Sequence, residues 1–74
     1  MSQQIGQRVS SHRHAKGWTQ AALAAQVGIP VDRLARMECG REGFRAGVLA
    51  DIASALDVPL AELVVGHGWS PVWN

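Results

Sequence analysis

A second cysteine is missing from this chain of 74 residues. Cys39 therefore has no internal partner for a disulfide, no cysteine-built metal cluster can form, and the expected setting is a reducing cytoplasm. No apolar run approaches the ~20 residues that a membrane helix needs. The opening stretch MSQQIGQRVS lacks the basic-then-apolar layout of a signal peptide. Repeats, low-complexity tracts and long Pro/Gly/Ser linkers are absent as well. The length lies near the lower end of what one hydrophobic core holds together without staples. The expectation is one small intracellular domain, with no membrane segment, metal or cofactor.

Basic residues are missing from the second part of the chain. Arg8, Arg13, Lys16, Arg33, Arg36, Arg41 and Arg45 all lie in residues 1–45, against Asp32, Glu38 and Glu42, a local charge of +4. Residues 46–74 carry Asp51, Asp57 and Glu62 and no Lys or Arg, a local charge of −3. This polarity predicts one side facing phosphates and another facing protein.

The chain is organised around Thr19–Gly40, TQAALAAQVGIPVDRLARMECG. Leu23 and Val27 are four apart on one helical face, and Leu34 and Met37 three apart on a second. Between the two runs lies Gly28-Ile29-Pro30: glycine ends a helix in the left-handed conformation, and proline suits the start of the next. With Ala21, Ala24 and Ala25 as small residues between the helices, the pattern predicts a helix-turn-helix.

In chain order, residues 3–16 read as a first helix, capped by Ser2, with Ile5 and Val9 inward and Gly17 as its stop. Trp18 is expected as a plug beneath the helix pair. His12 and His14 point to different faces and cannot share a metal; they are expected at the surface or near phosphates. Thr19 is the N-cap of the second helix, and Gln20 stands at its positive end, where backbone amides and a side-chain amide together hold a phosphate. The third helix runs from about Val31 to Cys39, stopped by Gly40. Leu34 and Met37 face inward, leaving Val31, Asp32, Arg33 and Arg36 on the outer side or its edges.

If this is a recognition helix, Arg33 or Arg36 pairs with guanine, Val31 touches a thymine methyl and Asp32 accepts from cytosine. In the bland alternative, Asp32 complements the helix dipole and the arginines touch phosphates. Residues 41–47, REGFRAG, read as a loop that offers Arg41 and Arg45 to phosphates, with Phe44 turned into the core. A fourth helix spans about Val48 to Leu56, with Leu49, Ile52, Ala53 and Leu56 in one stripe. A short fifth helix spans Leu60 to Val64.

These residues carry a resemblance. TQxxLAxxVGI at Thr19–Ile29, L-x-x-M-E-x-G at Leu34–Gly40 and I-A-x-A-L-x-V-x-L-x-E-L at Ile52–Leu63 resemble the lambdoid phage repressor and Cro family of helix-turn-helix domains, the xenobiotic-response-element family. The likeness covers residues 5–66. It implies an all-α, compact five-helix repressor-like bundle, with the helix-turn-helix at its second and third helices, binding double-stranded operator DNA as a dimer. It further implies that Gln20 anchors a phosphate, that Val31, Asp32, Arg33 and Arg36 hold the base-reading positions, and that the loop after Gly40 follows the DNA backbone. A buried ion pair between Arg13 and Glu38 is implied too. Four positions depart from the family pattern: Ala22 for an acidic residue, Pro30 for a Ser or Thr cap, Asp32 near a polyanion, and Asp57 for a helix-ending glycine.

Beyond residues 1–66 lies a tail, 67–74, in which Trp69 and Trp73 are separated by Pro71. Two tryptophans need partners. They fold back on the domain's own surface, or with Leu60 and Val64 make a homodimer or protein-partner contact; the dimer is favoured because two-fold readers match palindromic operators. The leading expectation is a transcriptional repressor with Thr19, Gln20, Arg41 and Arg45 on phosphates. The alternative is a protein-binding module, such as the DNA-anchored antitoxin of a toxin–antitoxin pair, gripping its partner through the tail. An enzyme is a poor third, since Cys39 would need a base, an orienting group and a pocket.

Overall fold

Ile5 and Val9 fall one turn apart, and the helix that carries them, α1, runs Ser2–Ala15 in a computed structural model that describes residues 2–64. The helix already includes Ser2, which is therefore not its cap. It ends one residue before Lys16, and Gly17, at φ 75°, turns the chain. Trp18 lies half-buried against the core, with the Lys16 ammonium 5.4 Å from its ring centroid, a cation–π contact.

The helix pair follows as α2, Gln20–Val27, and α3, Val31–Glu38. Thr19 caps α2 through its hydroxyl, which accepts from the Ala22 amide at 3.0 Å. Gly28 is left-handed, and its N–H reaches the Ala24 carbonyl at 2.8 Å, so the chain reverses within a single residue. Pro30 then stands as the N-cap of α3 with no side-chain hydrogen bond; its carbonyl takes the amides of Arg33 and Leu34 at 3.1 and 3.2 Å. Of the three small residues assigned to the α2–α3 contact, Ala24 is buried while Ala21 and Ala25 are exposed. The three therefore do not form a buried alanine face.

α4 runs Ala46–Leu56 and α5 Leu60–Val64. α4 begins two residues before the sequence pattern suggests. Arg45 takes the extended N-cap conformation and its carbonyl accepts the Leu49 amide at 2.9 Å, so Ala46 and Gly47 belong to the first turn and the loop is shorter than 41–47. The inward residues of all five helices meet in one core: Val9, Leu23, Leu34, Leu49, Ile52, Leu56 and Leu63. Phe44 packs partly against it from the loop. α1 touches α3, α4 and α5, α2 touches α3 and α4, and α4 touches α5. All the regular structure among the described residues is helical, and no described helix is long and apolar enough to cross a membrane.

Candidate nucleic-acid interface

α3 turns Leu34, Met37 and Glu38 into the protein. At 100° per residue, the opposite side is centred on Asp32 and Arg36, with Arg33 at one edge, while Val31 stands in the first turn. Val31 is 45% exposed although it is apolar. An outward valine costs little, and a methyl-bearing surface beside charged groups suits the edge of a base pair.

The charges on this face form a chain. Arg36 donates from Nη1 to Asp32 Oδ2 at 3.1 Å and from Nε to Glu42 Oε1 at 3.1 Å. Arg33 donates from Nε to Glu42 Oε2 at 2.7 Å. Two guanidinium groups therefore share one carboxylate brought by the loop. The Arg33 hydrogen bond, followed by that of Arg36, holds the Glu42 carboxyl below the usual glutamate range. The hydrogen bond to Glu42, followed by that to Asp32, pushes the Arg36 guanidinium up. Glu42 was not among the residues singled out from the sequence. Nine residues separate it from Arg33, and no helical period links the two.

Behind this face sits a buried anchor. Arg13 of α1 meets Glu38 of α3 through two hydrogen bonds, Nε to Oε2 at 2.8 Å and Nη2 to Oε1 at 3.0 Å. The third guanidinium nitrogen, Nη1, donates to the Trp18 carbonyl at 2.8 Å. Gln20 joins from α2 by donating its amide to Glu38 Oε1 at 3.0 Å. The cluster ties α1, the α1–α2 turn, α2 and α3 together, and none of its buried polar side-chain atoms lacks a partner. Gln20 thus has a structural task that its position at a helix start does not reveal. Its carbonyl oxygen and its second amide hydrogen make no hydrogen bond among the described residues. The backbone amides of Gln20 and Ala21 likewise have no acceptor there.

A family model described as a helix-turn-helix domain matches residues 4–64. The chain belongs to that family. An uncharacterized transcriptional regulator in the ATPase CF(0) region of Rhodospirillum rubrum is 39% identical over 56 residues, 76% of this chain and 52% of that protein. The chain thus spans about half the length of that relative. An uncharacterized HTH-type transcriptional regulator of Bacillus subtilis, YazB, is 34% identical over 58 residues, 78% of this chain and 84% of that one. Among solved structures, the restriction-modification controller protein C.AhdI from Aeromonas hydrophila superposes with a TM-score of 0.79 at 31% identity, covering 82% of this chain and 92% of that one. The molecule is a DNA-binding helix-turn-helix domain of the transcriptional-regulator kind.

Within this helix-turn-helix domain the basic residues divide by task. Arg8 donates from Nη1 to the carbonyls of Leu63 and Val64, at 3.3 and 2.7 Å, and so caps the end of α5. Arg13 is buried. Two of the arginines within residues 1–45 are thus spent on internal contacts. His12 lies 3.6 Å from Glu62 of α5 and His14 pairs with Ser10 of its own helix. Arg41 and Arg45 are exposed and their side chains make no hydrogen bond or ion pair among the described residues, so both guanidinium groups face solvent. Cys39 is exposed and its thiol donates to the Arg36 carbonyl at 3.4 Å, with neither His12 nor His14 as partner. On α5, Leu63 is buried while Leu60 and Val64 are 44% and 45% exposed. Trp69 and Trp73 lie outside the described residues.

Proposed function

We propose that this chain is the DNA-reading unit of a transcriptional repressor that works in the cytoplasm as a homodimer on a palindromic operator. The observation that carries the reading is the outward face of α3, where Val31, Asp32, Arg33 and Arg36 stand clear of a core packed by the other side of the same helix. A helix of this composition, held at its back by a buried ion pair, presents hydrogen-bonding and methyl groups in a fixed frame to a major groove. Arg33 or Arg36 pairs with guanine, Val31 contacts a thymine methyl, and Asp32 accepts from cytosine.

Phosphate contacts fall to Thr19 and Gln20 at the start of α2, where two amides are open, and to Arg41 and Arg45 beyond α3. Residues 1–66 form the binding domain. Leu60 and Val64 contribute to the two-fold contact, joined by Trp69 and Trp73 of the 67–74 tail. Exposed apolar side chains on a five-residue helix support a protein contact better than a DNA contact.

Selection of bound DNA from a random pool tests this reading. The expected product is a palindrome whose half-sites lie roughly 10–11 base pairs apart, close to one helical turn. Affinity should fall steeply with salt, because arginine–phosphate contacts release counterions. Arg33→Ala and Arg36→Ala should each lose about 1–3 kcal/mol of discrimination at a defined base pair. Unchanged binding of both variants to the selected site overturns the base-reading assignment.

A further inference from the structure

We propose that Glu42 is the positioning and specificity-setting residue of the α3 face: it holds Arg33 and Arg36 by their Nε hydrogens and cancels their charge toward non-specific DNA. The inference rests on the DNA-reading assignment above and deepens it.

Glu42 uses one oxygen for each arginine, Oε2 for Arg33 at 2.7 Å and Oε1 for Arg36 at 3.1 Å. Both bonds come from Nε, the nitrogen nearest the backbone end of the guanidinium. A grip at Nε fixes the plane of the group and leaves its outer edge available. The Arg33 guanidinium makes no other hydrogen bond among the described residues, so its Nη1 and Nη2 remain open as a planar fork. That end-on fork matches the two acceptors, O6 and N7, on the major-groove edge of guanine. Arg36 differs, because Nη1 already gives one of its two hydrogens to Asp32 at 3.1 Å. The geometry therefore ranks the two arginines: Arg33 is set for bidentate readout and Arg36 for a single contact.

The same arrangement sets the charge. Asp32, Arg33, Arg36 and Glu42 sum to zero within one hydrogen-bonded chain. Arg41 and Arg45, exposed and without an ion-pair partner among the described residues, lie outside it. Non-specific affinity for duplex DNA comes almost wholly from cations meeting phosphates. A recognition helix with no net charge contributes little to that term, and the Nη groups that the Nε grip leaves open are reserved for base contacts. Glu42 thus widens the gap between specific and non-specific binding.

The test is binding of the full chain to its selected DNA and to a scrambled duplex of equal length, by fluorescence anisotropy across a salt series. For Glu42→Gln, which keeps one acceptor and loses the charge, affinity for the scrambled duplex should rise about tenfold at low salt and the salt slope should steepen by about one. The specific-to-scrambled ratio should fall by about tenfold or more. Arg33→Gln should lower the ratio by itself, and adding Glu42→Gln to it should lower the ratio no further, since the group being positioned is gone. A residue that merely supports the fold moves thermal stability and leaves the ratio and the slope where they were; that result overturns the inference. So does an E42Q ratio equal to that of the wild type. If the wild-type chain enriches no sequence from the pool, the DNA-reading assignment falls and this inference with it. If it enriches one and E42Q keeps the ratio, only the inference about Glu42 falls.

Discussion

Arg13 and Glu38, 25 residues apart in sequence, face each other through two hydrogen bonds of 2.8 and 3.0 Å with both side chains buried. The pair fixes the α3 face relative to α1, and its other hydrogen bonds reach Trp18 and Gln20. Removing one partner leaves a charge without compensation in the interior. Glu38→Ala should therefore cost about 3–5 kcal/mol in urea unfolding. Replacing both charges by apolar residues, Arg13→Met with Glu38→Leu, should be less damaging than Glu38→Ala alone, because no buried charge is left behind. A cost for Glu38→Ala below about 1 kcal/mol would show that water reaches the site.

Two glycines inside helices should respond in opposite directions to alanine. At Gly6 of α1, an added Cβ would run into the backbone carbonyl of Glu38 and lie 2.6 Å from that of Met37. The two helices cross at this point with no room for a methyl group, so Gly6→Ala must push α1 off α3 and strain the Arg13–Glu38 pair. A loss of about 1–3 kcal/mol is expected. At Gly47, in the first turn of α4, an added Cβ meets nothing within 4 Å. Gly47→Ala should stabilise the domain by about 0.5–1 kcal/mol through chain entropy alone. Thermal unfolding of the two variants side by side decides both claims, and a destabilised Gly47→Ala would mean that α4 starts later than Ala46.

Asp57 ends α4 in the left-handed conformation, at φ 59° and ψ 45°. A side chain with a Cβ is disfavoured there by roughly 1–2 kcal/mol, with aspartate among the better tolerated types. Asp57→Gly removes that penalty but adds freedom to the unfolded chain, so a modest net gain of up to about 1 kcal/mol is expected. Its amide hydrogen bond to the Ser54 carbonyl at 3.1 Å should survive. A lower midpoint in denaturant would assign the Asp57 carboxylate a role beyond the cap.

The scaffold was legible because its signals are local. Apolar spacing of three and four, the Gly28-Ile29-Pro30 break and the Thr19 hydroxyl each act within a turn of helix, and the helices they predict match the observed ones to within two residues. The errors at Ser2, Ala46 and Gly47 are boundary errors, where a helix continues until backbone bonding stops it and side-chain pattern says little. What stayed hidden depends on tertiary approach. Gly6 carries no pattern of its own; its need for a bare Cα comes from α3 crossing above it. Arg8 looks like any surface cation until α5 places its last carbonyls beside it. Glu42 stands in the sequence as one acid in a loop with two arginines, whereas the fold makes it the shared acceptor of Arg33 and Arg36 of α3.

The shared acceptor has a pH signature. Hydrogen bonds from Arg33 first and Arg36 second favour the charged form of Glu42, so its folded-state pKa lies below its unfolded value. A depressed carboxyl contributes stability that is present above the unfolded pKa and is lost as pH falls through the folded one. The window therefore lies on the acid side of the ordinary glutamate range. In a carbon-detected NMR titration of the Glu42 carboxyl, the wild-type midpoint should sit below that of a glutamate in an unstructured peptide. Arg33→Gln should move it back further than Arg36→Gln does, since the Arg33 bond is the shorter, 2.7 against 3.1 Å, and has the larger effect. The reverse order would mean that in solution Arg36 holds Glu42 and Arg33 swings free, and Arg36 would then be the arginine set in place for guanine.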